Sequence, residues 1–202
     1  MRDWWLRTLL VLQAPRAVFV ALRDDSRESA ADRSEPVLLI LLLAGMASVL
    51  STPVAGRLMS PPNEYDGLVV AVWTFVGGGI YGAFAYWLFG ALLHGGVKAL
   101  GSQGTFRRTR HVLAFAAVPL ALSFLLWPVK VAVYGGDVFR RGGDDTGAGA
   151  DAFVALELAL LAWTVALLVV GVRAVHGWTW ARAAAAVAIA VAVPVALGVA
   201  FR

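Results

Sequence analysis

The stretch GLVVAVWTFVGGGIYGAFAYWLFGALL, Gly67–Leu93, runs for 27 residues without a charged side chain. A run of this kind leaves few folds open. In hydrocarbon there is no water to bond the backbone, so each N–H and C=O must be satisfied within the segment, and a helix does this. About 20 residues suffice to cross a bilayer, so this run tilts or protrudes. Four more apolar runs follow the same logic: Pro36–Gly56, His111–Val133, Ala152–Val172 and Ala183–Phe201. Pro36 suits the first turn of a helix. The third run carries Pro119 and Pro128, with Lys130 near its far end; the fourth contains one acid, Glu157; the fifth is rich in alanine and valine and contains Pro194. The expected fold is an all-α integral membrane protein. Five transmembrane helices, about 36–56, 67–93, 111–133, 152–172 and 183–201, form a membrane domain over 36–202. A cytoplasmic amphipathic segment, 1–35, precedes them.

Composition supports that class. Of 202 residues, 60% are hydrophobic and 15% charged, against roughly 25% charged in a soluble domain. The polar surface is too small to cover a water-facing globule. Five spans place the termini on opposite sides, and basic residues set the orientation. One side holds Arg2, Arg7, Arg16, Arg23, Arg27, Arg33, Lys98, Arg107, Arg108, Arg110, Arg173 and Arg182. The other holds Arg57, Lys130, Arg140, Arg141 and Arg202. Twelve against five predicts a cytoplasmic N-terminus and an outside C-terminus. The outside loop RRGGDDTGAGAD, Arg140–Asp151, reads as a flexible connection. The chain has no cysteine, which excludes disulfides and thiolate chemistry, and its histidines (His94, His111, His176) lack metal-ligand spacing.

The N-terminal segment is too short in its apolar run, Thr8–Leu12, to span. Gln13, Pro15 and Arg16 interrupt it, and no small-x-small cleavage site follows, so a signal peptide is not expected. One or two interfacial helices broken at Pro15 are expected instead, with Val18, Phe19 and Leu22 at helical spacing. Such a segment lies on the membrane. Trp4 and Trp5, and Trp178 and Trp180 near the other end, are expected as interfacial anchors at headgroup level.

The order of motifs is informative. PRAVFVAL opens the series at Pro15. FVGGGIYGAFAYWLFGALLHGGVKALG follows at Phe75–Gly101, then TFRRTRHVLAFAAVPLAL at Thr105–Leu122. AWTVALLVVGVRAVHGWTWARAAAAVAIAV, Ala162–Val191, joins the last two spans and contains the Arg182-Ala183 pair. This arrangement resembles the bacterial branch of the Ypt-interacting-protein (Yip) domain family, over roughly Pro15 to the C-terminus. The resemblance implies a five-span protein of the bacterial cytoplasmic membrane with its N-terminus in the cytoplasm. Eukaryotic relatives bind prenylated Rab/Ypt-type GTPases and carry a DLYGP-type motif. This chain has none; Tyr81-Gly82 and Tyr134-Gly135 are isolated pairs. Binding of such GTPases is therefore not implied.

Several residues stand out. Arg107, Arg108, Arg110 and His111 cluster at the entrance to the third span. They are candidate contacts for anionic lipid headgroups, because guanidinium donates in a fork and juxtamembrane cations are drawn to anionic lipid. The plainer reading is a topology signal that touches headgroups without selectivity. Nucleic acid is excluded as a partner, since Phe106 is the one nearby aromatic outside the span. Gly101-Ser102-Gln103-Gly104 lacks the GK[ST] of a phosphate-binding loop.

Glu157 and Lys130 form a candidate intramembrane polar site on the outer side. An acid inside a span faces a cavity or a partner. The pair is either a proton or substrate site, or a structural pair or a protonated carboxyl. Thr74, Gly78, Gly82, Tyr86 and Gly90 recur every fourth residue. Gly78, Gly82 and Gly90 are candidate packing positions, within the bundle or between copies of the chain. No catalytic set, metal site or cofactor motif is visible: Asp144 and Asp145 lack a neighbouring base. The expected role is a non-enzymatic, membrane-organising or protein- and lipid-interacting one. Its partners are membrane lipids and either a second copy or another membrane protein. The alternative is a small transporter or lipid-translocating protein with a polar crevice around Glu157 and Lys130.

Overall fold

The computed structural model describes the backbone of residues 2–62 and 64–200 and the side chains of 3–62 and 64–192. Phe201 and Arg202, at the end of the expected fifth span, lie outside the described residues, as do the side chains of Arg2 and Pro194. Within them the chain is helical and contains no strand.

Local sequence sets where the helices begin. Helix α1, Arg2–Leu10, stops short of Pro15, which opens α2, Pro15–Ala21. Proline lacks an N–H and has a fixed φ, so it suits a first turn and interrupts an interior. Helix α3, Arg27–Asp32, is capped by the Ser26 hydroxyl, which accepts from the Ser29 N–H at 3.2 Å. Helix α4 is Ser34–Leu50, and a short 3₁₀ turn at Ala55–Arg57 follows it. Helix α5, Gly67–Ala99, starts where the Asp66 carboxylate accepts from the Val69 N–H at 2.8 Å. It ends at Gly101, whose φ of +83° lets the Ser102 N–H reach back to the Val97 carbonyl.

The third expected span departs from a single rod. It is α6 (Phe106–Ala116), α7 (Val118–Ser123) and α8 (Leu126–Tyr134), closed by a 3₁₀ turn at Gly135–Phe139. Pro119 and Pro128 each fall in the first turn of a new segment, where the missing donor breaks no internal bond. The helix also begins at Phe106 rather than His111, because the Thr105 hydroxyl caps it by accepting from the Arg108 N–H at 3.1 Å. Helix α9, Ala148–His176, ends at Gly177, φ +67°, with the Trp178 N–H on the Arg173 carbonyl. Helix α10 is Trp180–Ala200.

Three stretches are long and apolar enough to cross a membrane: Gly67–Ala99, Phe106–Phe139 and Ala148–His176. The other two expected spans correspond to shorter apolar stretches, Ser34–Leu50 and Trp180–Ala192, the part of α10 whose side chains are described. The 17 residues of α4 extend about 26 Å, short of a hydrocarbon core of about 30 Å.

The chain packs as two compact units. One comprises Met1–Ile40, Phe84–Val118 and Thr164–Arg202; the other comprises Leu41–Ala83 and Pro119–Trp163. In the first, α2 turns its apolar face into the protein: Val18, Phe19 and Leu22 are fully buried. Phe19 occupies the space over Gly171 of α9, where an added Cβ would meet Phe19 Cε1 at 2.9 Å and Val112 Cγ1 at 2.8 Å. This corrects the expectation that α2 rests its apolar face on the membrane. A fitted protein cavity removes the same apolar area from water and adds close contacts.

In the second unit, Leu50, Leu58, Val70, Trp127, Val138 and Phe139 form a buried cluster, with Trp127 and Phe139 stacked at 6.2 Å. There α4 meets α5 backbone to backbone. A Cβ on Gly45 would strike the Gly78 carbonyl, one on Gly82 the Leu41 carbonyl, and one on Gly78 would lie 2.6 Å from Met46 Cα. At Gly45 and Gly82 backbone meets backbone, while the Met46 stem lies against Gly78, and the helices gain dispersion contact through close approach.

Candidate functional site

The start of α6 lies in the first unit, and it carries the basic cluster. Capping by Thr105 fixes the first turn, and the turn presents Arg107 and Arg108 to the α2–α3 connection. Arg107 Nε donates to the Asp25 carboxylate at 2.9 Å, and its Nη2 donates to the Asp25 carbonyl. The Thr105 hydroxyl donates to the other Asp25 oxygen. Arg108 Nη2 donates to the Arg23 carbonyl at 2.8 Å, and Arg23 in turn donates to the Ala174 carbonyl of α9 at 2.6 Å. The α2–α3 connection is thereby clasped to α6 and α9. Burial alone would raise the Asp25 carboxyl. The Thr105 hydroxyl and the Arg107 and Arg108 guanidinium groups outweigh it and hold the group below its usual range.

Behind the clasp lies Arg33, which is 0% exposed. Its Nη2 donates to the Asp24 carbonyl at 3.0 Å, while Nε and Nη1 have no hydrogen-bond partner. Its guanidinium lies over the Trp4 ring at 5.1 Å, and Arg7 lies over the same ring at 4.7 Å. Trp4 also packs on Phe115 at 5.5 Å and is 5% exposed. An anchoring position at headgroup level therefore does not describe Trp4. Trp5 is the exposed member of the pair, together with Leu6, Leu9 and Leu10.

The four candidate headgroup contacts do not form one outward patch. Arg107 is 38% exposed at its side chain, and Arg108 is tied to Arg23. Arg110 points into an aromatic box, with its guanidinium 3.7 Å from the Trp87 centroid, 4.7 Å from Phe106 and 5.0 Å from Tyr86. Its stem lies on Gly90, where a Cβ would come within 2.5 Å of Arg110 Cγ. Thus Gly90 admits an arginine, whereas Gly78 and Gly82 admit a helix backbone. His111 is buried, and its Nδ1 has no hydrogen-bond partner.

The turn between α9 and α10 is ordered by polar and ring contacts in the same unit. His176 stacks on Trp178 at 4.8 Å, and its Nδ1 lies 3.2 Å from the Ser102 hydroxyl. Arg182 lies over Trp178 at 4.2 Å and donates to the Leu100 carbonyl. Trp180 is more than half exposed, with Arg173 over its ring at 4.5 Å.

In the second unit, Glu157 lies 3.9 Å from Lys130 Nζ and accepts from the Ser51 hydroxyl at 3.3 Å. The Lys130–Glu157 separation is an ion pair without a hydrogen bond. Lys130 also sits 4.7 Å from the Trp127 ring. A cavity of about 730 Å³ in this unit opens between Met59–Ser60 and Arg140–Arg141, with Glu64 and Asp66 on its wall. None of the candidate lipid-contact, intramembrane, packing or anchor residues lines it. Among the described residues no three His, Asp or Glu side chains gather as a metal site.

The sequence reading missed Asp25 and Arg33. Both lie in a stretch of mixed charge between α2 and α4; Arg33 bonds the nearby Asp24 carbonyl, while the partners of Asp25 lie far along the chain. The pairing of Asp25 with Arg107 spans 82 residues, and no local pattern announces it.

No curated protein and no solved structure matches the chain. The Yip1 domain matches it over residues 9–201, from the end of α1 beyond the described part of α10. The chain belongs to the Yip1 domain family.

Proposed function

We propose that this Yip-domain chain is a five-span protein of the bacterial cytoplasmic membrane, N-terminus inside and C-terminus outside, that organises membrane or holds protein and lipid partners without catalysing a reaction. The family match across residues 9–201 carries the reading. The basic-residue asymmetry supports the orientation. Broad apolar exposure on α5, at Leu68, Val72, Phe75, Ile80 and Phe84, suits contact with lipid tails. The transport alternative has no stronger support: Glu157 is engaged by Ser51 and Lys130, an arrangement that fits a structural pair.

The absence of cysteine makes a direct test simple. Single cysteines at Ser29 and Thr146, in spheroplasts and inverted vesicles, report sidedness to an impermeant maleimide. Ser29→Cys should label only from the cytoplasmic side and Thr146→Cys only from outside. Labelling of both from one side would refute the five-span topology. Activity is tested by reconstitution into phosphatidylglycerol-containing vesicles. Altered vesicle size or shape without solute flux is expected; flux or lipid scrambling abolished by Glu157→Gln would replace this reading with transport.

A further inference from the structure

The clasp at the start of α6 gathers three guanidinium groups, Arg33, Arg107 and Arg108, about two carboxylates, Asp24 and Asp25. Asp25 accepts from Thr105 and Arg107. Around it, Arg33 is wholly buried with Nε and Nη1 unpartnered, and Arg108 has a buried unpartnered Nε. A buried guanidinium keeps its proton, and donors left without acceptors in a buried place are costly. The 11 residues of α6 direct their N-terminal dipole to the same place. A carboxylate offers two oxygens and one charge. A phosphate group offers more acceptors and up to twice the charge, and it is the anion best matched to forked guanidinium donors.

We propose that the Arg33–Thr105–Arg107–Arg108 cluster is a phosphate-binding site and that Asp25 is its built-in competitor, occupying the site until a phosphate group displaces it. Arg107, partly exposed, is the point of entry. Arg33 and Arg108 supply the donors that the carboxylate leaves unused. Displacement removes the carboxylate contacts and leaves the Arg107 and Arg108 bonds to backbone carbonyls, so occupancy of the site weakens attachment of the N-terminal segment to α6. This deepens the proposed lipid interaction and rests on it only for the source of the phosphate, a headgroup or the free ion.

The test uses the full chain in neutral detergent, titrated separately with inorganic phosphate, short-chain phosphatidylglycerol and short-chain phosphatidylcholine. Binding is read by calorimetry and by the rise in thermal midpoint. Phosphatidylglycerol binding without phosphate binding identifies the headgroup as ligand. Binding of inorganic phosphate alone keeps the site and removes the lipid role. In both cases Asp25→Ala should bind about tenfold tighter, the gain expected if the clasp is closed roughly nine-tenths of the time. Arg107→Gln in that background should lose the gain; because Arg107 is partly exposed, this variant keeps the test open if Arg33→Gln fails to fold. The proposal is overturned if no probe binds Asp25→Ala, if phosphatidylcholine binds as well as phosphatidylglycerol, or if Asp25→Ala and Arg107→Gln leave affinity unchanged.

Discussion

The Asp25 carboxylate lies 2.9 Å from Arg107 Nε, and with the Arg108 bond to the Arg23 carbonyl it joins the connection after α2 to the first turn of α6. Asp25 is 7% exposed at its side chain and Arg107 38%, so solvent screening limits the pair to about 1 kcal/mol. Asp25 is held below its usual range in the folded chain. A depressed carboxyl contributes stability that is fully present above its unfolded value of about 3.9 and is lost as pH falls through the folded value. Thermal unfolding in detergent should therefore show the wild type losing stability on acidification below about pH 4. Asp25→Asn should start lower and respond less across that window. Parallel pH profiles would show that the carboxylate is not held by the clasp.

Gly82 and Gly95 share a helix and differ in what surrounds them. A Cβ on Gly82 would strike the Leu41 carbonyl, whereas one on Gly95 meets nothing within 4 Å. Gly82→Leu should lower folded yield and destabilise by about 1–3 kcal/mol or more. Gly95→Ala should be neutral or stabilising by up to about 1 kcal/mol, since glycine in a helix interior is itself unfavourable. Equal yields and midpoints for the two variants would mean that α4 does not approach α5 as described.

Phe19 decides whether α2 is protein-packed or membrane-seated. Its ring fills the space over Gly171 and is 0% exposed. Phe19→Ala should cost about 3–5 kcal/mol in the thermal stability of detergent-purified protein. A ring that only touched lipid would leave that stability near the wild-type value while weakening vesicle binding of the N-terminal segment.

Glu157 and Lys130 are suited to a double-mutant cycle. At 3.9 Å, with side-chain exposures of 21% and 12%, each leaves the other poorly solvated when removed. Glu157→Leu and Lys130→Leu should each destabilise by about 2–4 kcal/mol, and the double variant by less than their sum. Additive costs would show that the two charges do not sense one another.

Much of the architecture was legible in the sequence because hydrocarbon leaves a run such as Gly67–Leu93 only one backbone solution. Pro119 and Pro128 stood out in the third run because a residue without an N–H marks itself, and each falls in the first turn of a new segment. The four-residue recurrence of Gly78 and Gly82 pointed to a helix partner but not to Gly45, since an isolated glycine in an apolar run carries no address. Trp4 and Phe19 were misplaced because an apolar face looks the same whether it meets lipid or protein. Only the opposing surface, Gly171 with Val112 for Phe19 and Phe115 for Trp4, distinguishes the two. Asp25 and Arg33 stayed hidden because the mixed charges of DDSRESAADRSEP, Asp24–Pro36, are what a solvated surface segment also shows.

The seam of Gly45, Gly78 and Gly82 has an entropic consequence. At Gly45 and Gly82 backbone atoms meet, so these two positions have no rotamer to fix when α4 and α5 associate, and glycine has no side-chain freedom to lose. The side chains beside them, Met46 at Gly78, Val49 at Gly77 and Leu42 at Gly79, are the ones that lose freedom there. At Gly45 and Gly82 the approach of the helices is limited by backbone contact.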